Sequence, residues 1–224
     1  MKGYSILLIL FVLVFLLFGF HKKGKRENII YWKKDYKLKW DDFQGLPDTT
    51  KNYLAVTTSE IADNEIPVKG QDSLKIVILT EFLKDFSYKW FAHLWDTNFK
   101  TEALEHEQIH FDITEVYARK LRQKIKPLIS KAANRNSSWI QDQIEEFNHK
   151  LTAESWIEQE QFDSAVSFYH TQGFKVYRVN IASDYDTVRR RQNLWRQKVD
   201  KELSDLEKYS ENAMTIKVKQ NTRM

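Results

Sequence analysis

The chain has 224 residues, 42% of them hydrophobic and 14% aromatic, which is enough for one core of ordinary size. Its 35 basic and 31 acidic residues are interspersed and leave a formal charge of only +4, a balance that argues for a solvated surface and against a nucleic-acid groove. Cysteine is absent, which excludes disulfides, thiol nucleophiles, thiolate-bound zinc and a lipid-modified cysteine, so any metal site must be built from histidine and carboxylate.

Residues 4 to 20 are uncharged and overwhelmingly apolar. As a helix they would reach roughly 25 Å, near the lower limit for crossing a bilayer. No small-residue cleavage site follows them, so an uncleaved membrane anchor is expected ahead of a signal peptide. The basic flank His21-Lys22-Lys23-Gly24-Lys25-Arg26, taken alone, would keep the C-terminal domain in the cytoplasm. The division expected is an anchor or signal segment over 1–26, one folded domain over 27–210 and a tail over 211–224.

Next, Tyr31 to Gly45 is rich in aromatic and charged residues, with Trp32, Tyr36, Trp40 and Phe43 set to pack at the edge of a core. Two segments, Tyr53 to Ile61 and Leu74 to Thr80, carry the β-branched enrichment of strands, and a turn-rich stretch with Asn64, Pro67 and Gly70 divides them. After an aromatic stretch from Phe82 to Trp95, Asp96 or Thr97 is placed to cap a helix that runs to about Ile125 and stops before Pro127. A second helix is predicted from Ser138 to about Tyr169, a strand from Phe174 to Ile181, and a third helix from Thr187 to Tyr209. Thr215 to Val218 reads as a marginal strand or a disordered tail. The run Arg189-Arg190-Arg191, with Arg196 and Lys198, reads as a solvated helix face, with an anionic contact as its other meaning. Short strands followed by helices indicate an α+β domain.

The first predicted helix carries His106, Glu107 and His110 in the spacing H-E-x-x-H. Positions four apart lie on one helix face, so both imidazoles project toward one point and can bind a single zinc ion at about 2.0–2.1 Å. Glu107, at the edge of that face, is the candidate general base for a water attacking a carbonyl. Apolar residues at Phe99, Ala103, Ile109, Ile113, Val116, Tyr117 and Leu121 form the buried stripe beside it. The bland alternative is a pair of half-buried structural histidines and a solvated carboxylate. Glu115, nine residues past His106, turns to the opposite face.

Several segments together resemble one family. Leu38-Lys39-Trp40-Asp41-Asp42-Phe43-Gln44-Gly45 resembles the L-x-W-x-D-F-x-G opening of the bacterial DUF922 family of predicted secreted zinc-dependent proteases. Ala55 to Ser59 is similar to that family's early strand, His106 to Ile113 to its HEQ-x-HFDI block, and Arg119 to Arg122 to the basic end of the same helix. Tyr185-Asp186 and Gln192-x-x-Trp195 resemble its closing segment, so the resemblance runs from about residue 31 to 205. It implies a zincin-like fold, export to the bacterial cell envelope, a Zn2+ cofactor and a peptide or protein substrate.

The family's closing segment usually reads YD-x-E-T-x-H, and its histidine is missing here, where Tyr185-Asp186-Thr187-Val188-Arg189-Arg190-Arg191-Gln192 stands. A catalytic zinc normally takes three protein ligands plus water. Asp186 ranks first as the third metal ligand because it occupies the motif's place, with His170, Glu154 and Glu158 as alternatives. Tyr185 is a candidate oxyanion donor, and Asp41 or Asp42 a candidate to orient a histidine ligand. The function expected is a membrane-anchored or exported zinc-dependent metallopeptidase with Glu107 as general base. The competing expectations are a zincin-fold scaffold without chemistry and a metal-dependent hydrolase of non-peptide bonds.

Overall fold

In the computed structural model the described residues are 28–48, 50, 53–68, 73–90, 97–132, 135–166, 169–172, 175–178 and 181–218. The apolar segment 4–20 and its basic flank lie outside them, and no helix among the described residues is long and apolar enough to cross a membrane. The architecture is α+β: a small antiparallel sheet, two further two-stranded pairings and three long helices.

The sheet is organised by β4, Ser73–Leu83. Its alternating LKIVILT pattern puts Leu74, Ile76, Ile78, Thr80 and Phe82 on one buried face, as period-2 geometry requires. Along one edge of β4 lies β3, Ser59–Pro67, in an antiparallel register from Ser59↔Phe82 to Pro67↔Leu74. Two strands share the opposite edge: β1, Ile29–Tyr31, pairs with Glu81 to Leu83, and β8, Ala213–Lys217, pairs with Ser73 to Val77. Two expectations change here. Asn64 and Pro67, read as turn residues, belong to β3, where Pro67 is accommodated because it sits at the end of an edge strand. The segment after residue 210, read as a tail, contributes a strand to the sheet, with Ile216 fully buried.

Helix α1, Thr97–Ile125, lies across the buried face of the sheet and ends just before Pro127, which cannot donate to the helical ladder. A helical turn at Ile129–Ala132 leads to α2, Ser137–Val166, which packs along α1. The hairpin of β6, Tyr169–Gln172, and β7, Lys175–Arg178, follows where helix had been expected as far as Tyr169. Helix α3, Ile181–Asp205, then packs against both α1 and α2. Covered by sheet on one side and two helices on the other, α1 is buried at every position from Glu107 to Arg119.

That enclosure makes the polar residues of α1 the critical ones, since a buried charge is tolerated only when paired. Glu115 binds Arg119 Nε at 2.9 Å, Arg122 Nη1 at 3.0 Å and the Thr80 hydroxyl at 2.7 Å. The two guanidinium groups spend their remaining donors on the carbonyls of Leu203, Tyr209 and Ile78 and on the Glu207 carboxylate. Asp112 is held by Trp32 Nε1, Gln108 Nε2 and Arg196 at 2.6–2.9 Å. Gln108 in turn accepts from the backbone of Leu38. The aromatic opening segment is therefore tied to α1 as well as packed on it, with Leu38, Phe43, Phe82 and Phe111 forming a small cluster flanked by Trp32, Tyr36 and Trp40.

The same segment fixes β5, Tyr88–Lys89, which pairs with β2, Ala55–Val56. Gly45 donates to the Ser87 carbonyl at 2.8 Å, and a Cβ at this position would stand 2.8 Å from the carbonyl oxygen of Asp85, so only glycine allows the approach. Ser87 also accepts from the amide of Thr58, joining β5 to the start of β3.

Replacing Glu115 with Ala leaves the buried Arg122 without a carboxylate partner among the described residues and Arg119 with Glu207 alone. The expected cost is about 3–5 kcal/mol, read as a lowered midpoint in urea unfolding with an unchanged slope.

Candidate metal centre

His106 and His110 face one another on α1, ring centroids 4.9 Å apart, and the facing helix α2 inserts Asp163 between them. Asp163 Oδ1 is 3.1 Å from His106 Nε2 and 2.9 Å from His110 Nε2, and the two Nε2 atoms are 3.1 Å apart. These three atoms form a nearly equilateral triangle. In a tetrahedral zinc site with bonds of about 2.0–2.1 Å, ligand atoms lie about 3.3–3.4 Å from one another. An outward shift of a few tenths of an ångström would convert the triangle into one face of that tetrahedron.

The protonation pattern supports the same use. His110 Nδ1 contacts Gln159 Oε1 at 2.9 Å, and because that oxygen only accepts, Nδ1 carries the hydrogen. Neutral His110 therefore directs the lone pair of Nε2 at the triangle, the arrangement in which a hydrogen bond to the far nitrogen fixes a ligand's tautomer. Gln159 is itself held by Thr114 and Ser155, and Thr114 by Ser59, so the orientation is anchored as far as β3. Phe162 stacks on the His106 ring at 4.5 Å and meets the His110 ring edge at 5.0 Å. A lone pair facing a carboxylate oxygen at 2.9 Å requires a positive centre between them, either a proton or a metal ion.

The electrostatics agree. Burial opposes a charge on His110, but the Asp163 carboxylate outweighs burial and raises the imidazole above its ordinary pKa. Burial likewise acts to raise Asp163, yet the two imidazoles outweigh it and hold the carboxyl well below the usual range. The side chains of His106 and His110 are 16% and 10% exposed and that of Asp163 is 49% exposed, so the triangle is walled on the helix side and open to solvent through the aspartate.

Glu107 is buried beside this group, with its carbonyl accepting from the Thr57 hydroxyl at 3.2 Å. Its Oε2 has no hydrogen-bond partner among the described residues. Nor do Tyr88 Oη, His106 Nδ1, Glu102 Oε2, Gln192 Oε1 and Arg196 Nε. Buried polar atoms in native proteins are almost always satisfied, so a concentration of such atoms around residues 102–107 marks a place built for water or a ligand.

The structure brings His106 and His110 together as their spacing requires, with Glu107 adjacent. Asp186 does not join them: it is exposed on α3, and among the described residues the group with metal-ligand geometry is His106, His110 and Asp163. Glu158 is on the correct helix but is engaged by Tyr117 and Lys198, and Glu154 is exposed. The side chains of His170 and Tyr185 lie outside the described residues. Asp41 is exposed, while Asp42 accepts from Tyr36 and the Lys39 backbone and faces Lys84, so Gln159 rather than either aspartate orients a histidine. Arg189, Arg190 and Arg191 are exposed, as expected of a solvated face, whereas Arg196 is consumed by Asp112 and Asp200. Asp163 and Gln159 were discoverable in principle, because they share the stripe of α2 that carries Ser155, Phe162 and Val166, where polar residues interrupt an otherwise core-facing pattern.

Compared with known proteins, the chain matches no family model, no curated protein and no solved structure.

Metal binding must displace protons from the triangle, and the raised pKa of His110 sets the sign. In the metal-free protein the His110–Asp163 pair contributes stability above the ordinary carboxylate pKa, and that contribution is lost as pH rises through the folded pKa of His110. Zinc-dependent stabilisation runs the other way. At a zinc concentration about 1,000 times Kd the gain is about 4 kcal/mol, equivalent to roughly 8–16 °C in Tm for a domain of this size. Differential scanning calorimetry is expected to show this shift near pH 7.5 and its progressive loss toward about pH 5, where His110 holds a proton in place of the ion.

Proposed function

We propose that the chain is a zinc-dependent metallopeptidase of zincin-like fold. What carries this reading is the triangle of His106, His110 and Asp163 with the unpartnered Glu107 carboxylate beside it. Two imidazoles and one carboxylate are a donor set suited to catalytic zinc, with a fourth position left for water. The half-exposed Asp163 side leaves that position open to solvent. The resemblance of the His106 to Ile113 block to secreted zinc-dependent proteases points the same way.

Zinc bound by these three residues supplies a Lewis acid and lowers the pKa of its water to about 7. The remaining steps belong to the chain. Glu107 accepts the proton of the attacking water through Oε2, an oxygen free of other bonds. It then delivers that proton to the leaving amine. Gln159 keeps His110 in the ligating tautomer, and Phe162 holds the His106 ring flat. The domain acts at the cell envelope, anchored through residues 4–20, on peptide or protein substrates.

Purified protein is expected to hold about one zinc per chain by inductively coupled plasma mass spectrometry. Asp163→Asn and His110→Ala are expected to lose the metal, whereas Asp186→Asn should retain it; the opposite result for the two aspartates would overturn the assignment of the third ligand. Glu107→Gln is expected to keep zinc while hydrolysis of labelled casein falls by about 10²–10⁴-fold. A protein that carries no stoichiometric zinc would instead favour the non-catalytic scaffold.

A further inference from the structure

The proposed chemistry requires a donor for the oxygen that becomes negative when water adds to the carbonyl, and the side chain of Tyr185, the candidate from the sequence, lies outside the described residues. Tyr88 is buried, 6% exposed, yet its hydroxyl has no hydrogen-bond partner among the described residues. A buried hydroxyl left unsatisfied is costly unless a ligand or water completes it. A phenylalanine would fill the same volume without the penalty.

Position explains the choice of residue. Tyr88 stands in β5 directly opposite Val56 of β2, and the next residue of that strand, Thr57, is hydrogen-bonded to the carbonyl of Glu107. The β2–β5 pair is thereby pinned to α1 at the position of the general base. Gly45 and Ser87 hold the other end of β5, so the ring is fixed by backbone contacts on both sides. Two unpartnered buried oxygens, Tyr88 Oη and Glu107 Oε2, thus belong to adjoining elements.

Resting on the metallopeptidase reading, we infer that Tyr88 is a catalytic residue whose hydroxyl donates a hydrogen bond to the oxyanion of the tetrahedral intermediate on the side of the site formed by β5. The role needs a protonated phenol. Burial, followed by the negative charges around the ring including Asp48 and Glu107, keeps the hydroxyl protonated by raising its pKa above the ordinary tyrosine value. No covalent bond to Tyr88 forms or breaks; it only shares its proton with the oxygen that gains charge.

The test uses the full chain and its Tyr88→Phe variant, both loaded with zinc. Because the hydroxyl binds no group among the described residues, Tyr88→Phe is expected to keep one zinc per chain and an equal or higher Tm. Its kcat on fluorescein-labelled casein is expected to fall about 10²–10³-fold with KM nearly unchanged, the loss typical of one oxyanion donor. A lowered Tm with unchanged kcat would show a structural tyrosine and overturn the inference. A second readout does not depend on the substrate: acetohydroxamic acid titrated into the cobalt-substituted proteins, followed by the visible absorption of the metal, is expected to bind at least tenfold more weakly to the variant. Equal affinity overturns the role of Tyr88 while leaving the metal site standing. Failure of the parent chain to bind zinc or cobalt overturns the metallopeptidase reading itself.

Discussion

Helix α1 is enclosed by the sheet, α2 and α3, and every polar group on its central turns must find a partner inside the protein. This constraint organises the remainder. Glu115 neutralises Arg119 and Arg122, Asp112 neutralises Arg196, and Glu158, approached from α2, meets Tyr117 and Lys198. Through Thr80, Trp32, Arg196 and Glu158 the polar groups of this one helix reach the sheet, the opening segment and the other two helices, and so specify how these are arranged around it. Hydrophobic burial by Ile109, Ile113, Val116 and Leu121 supplies the driving force, but apolar stripes alone would tolerate several rotations of α1. Paired charges select one, at a desolvation cost that hydrophobic replacements would avoid.

Against that background, three of the exceptions, Glu102 Oε2, His106 Nδ1 and Glu107 Oε2, fall within two turns of α1. The same rotation of α1 that buries Ile109 and Ile113 presents His106 and His110 to α2, where Gln159, Phe162 and Asp163 receive them. Packing and chemistry are thus set by one helical phase. Phe162 touches both rings and Trp195 of α3, so the core extends to the rim of the metal site without interruption. Rigid backing of this kind keeps two imidazoles and a carboxylate poised within a few tenths of an ångström of a tetrahedral face.

Much of this was legible in the residues. The H-E-x-x-H spacing located the two imidazoles and the neighbouring carboxylate, because four residues of helix fix a direction without help from tertiary structure. Alternation in LKIVILT located β4, and Pro127 marked the end of α1. The stripe of α2 shared with Ser155, Phe162 and Val166 marked Asp163 as facing the core, but its place as a third ligand depends on the crossing of α1 and α2, which no local pattern specifies. The expectation at Asp186 relied on a motif position and not on a contact. Asn64 and Pro67 misled because turn-forming residues at the edge of a sheet are held in strand by the nine-residue register with β4, a long-range pairing that overrides local preference. For the same reason β8 looked marginal until Ile216 was seen buried against β4. Tyr88 lay in an aromatic stretch where nothing distinguished it from its packing neighbours; only its lack of a partner does so.

Both β1 and β8 lie on the same edge of β4, so residues near 30 and near 215 complete a single strand's pairing. Arg119 and Arg122 likewise wait for the carbonyls of Leu203 and Tyr209. During synthesis those two guanidinium groups would therefore share Glu115 alone, with their remaining donors unpaired, until almost the whole domain has emerged from the ribosome. Assembly of the imidazole pair on a rigid backing is consequently a late event, governed by contacts of high sequence separation, and a nascent fragment long enough to contain the H-E-x-x-H helix would still lack a formed catalytic centre.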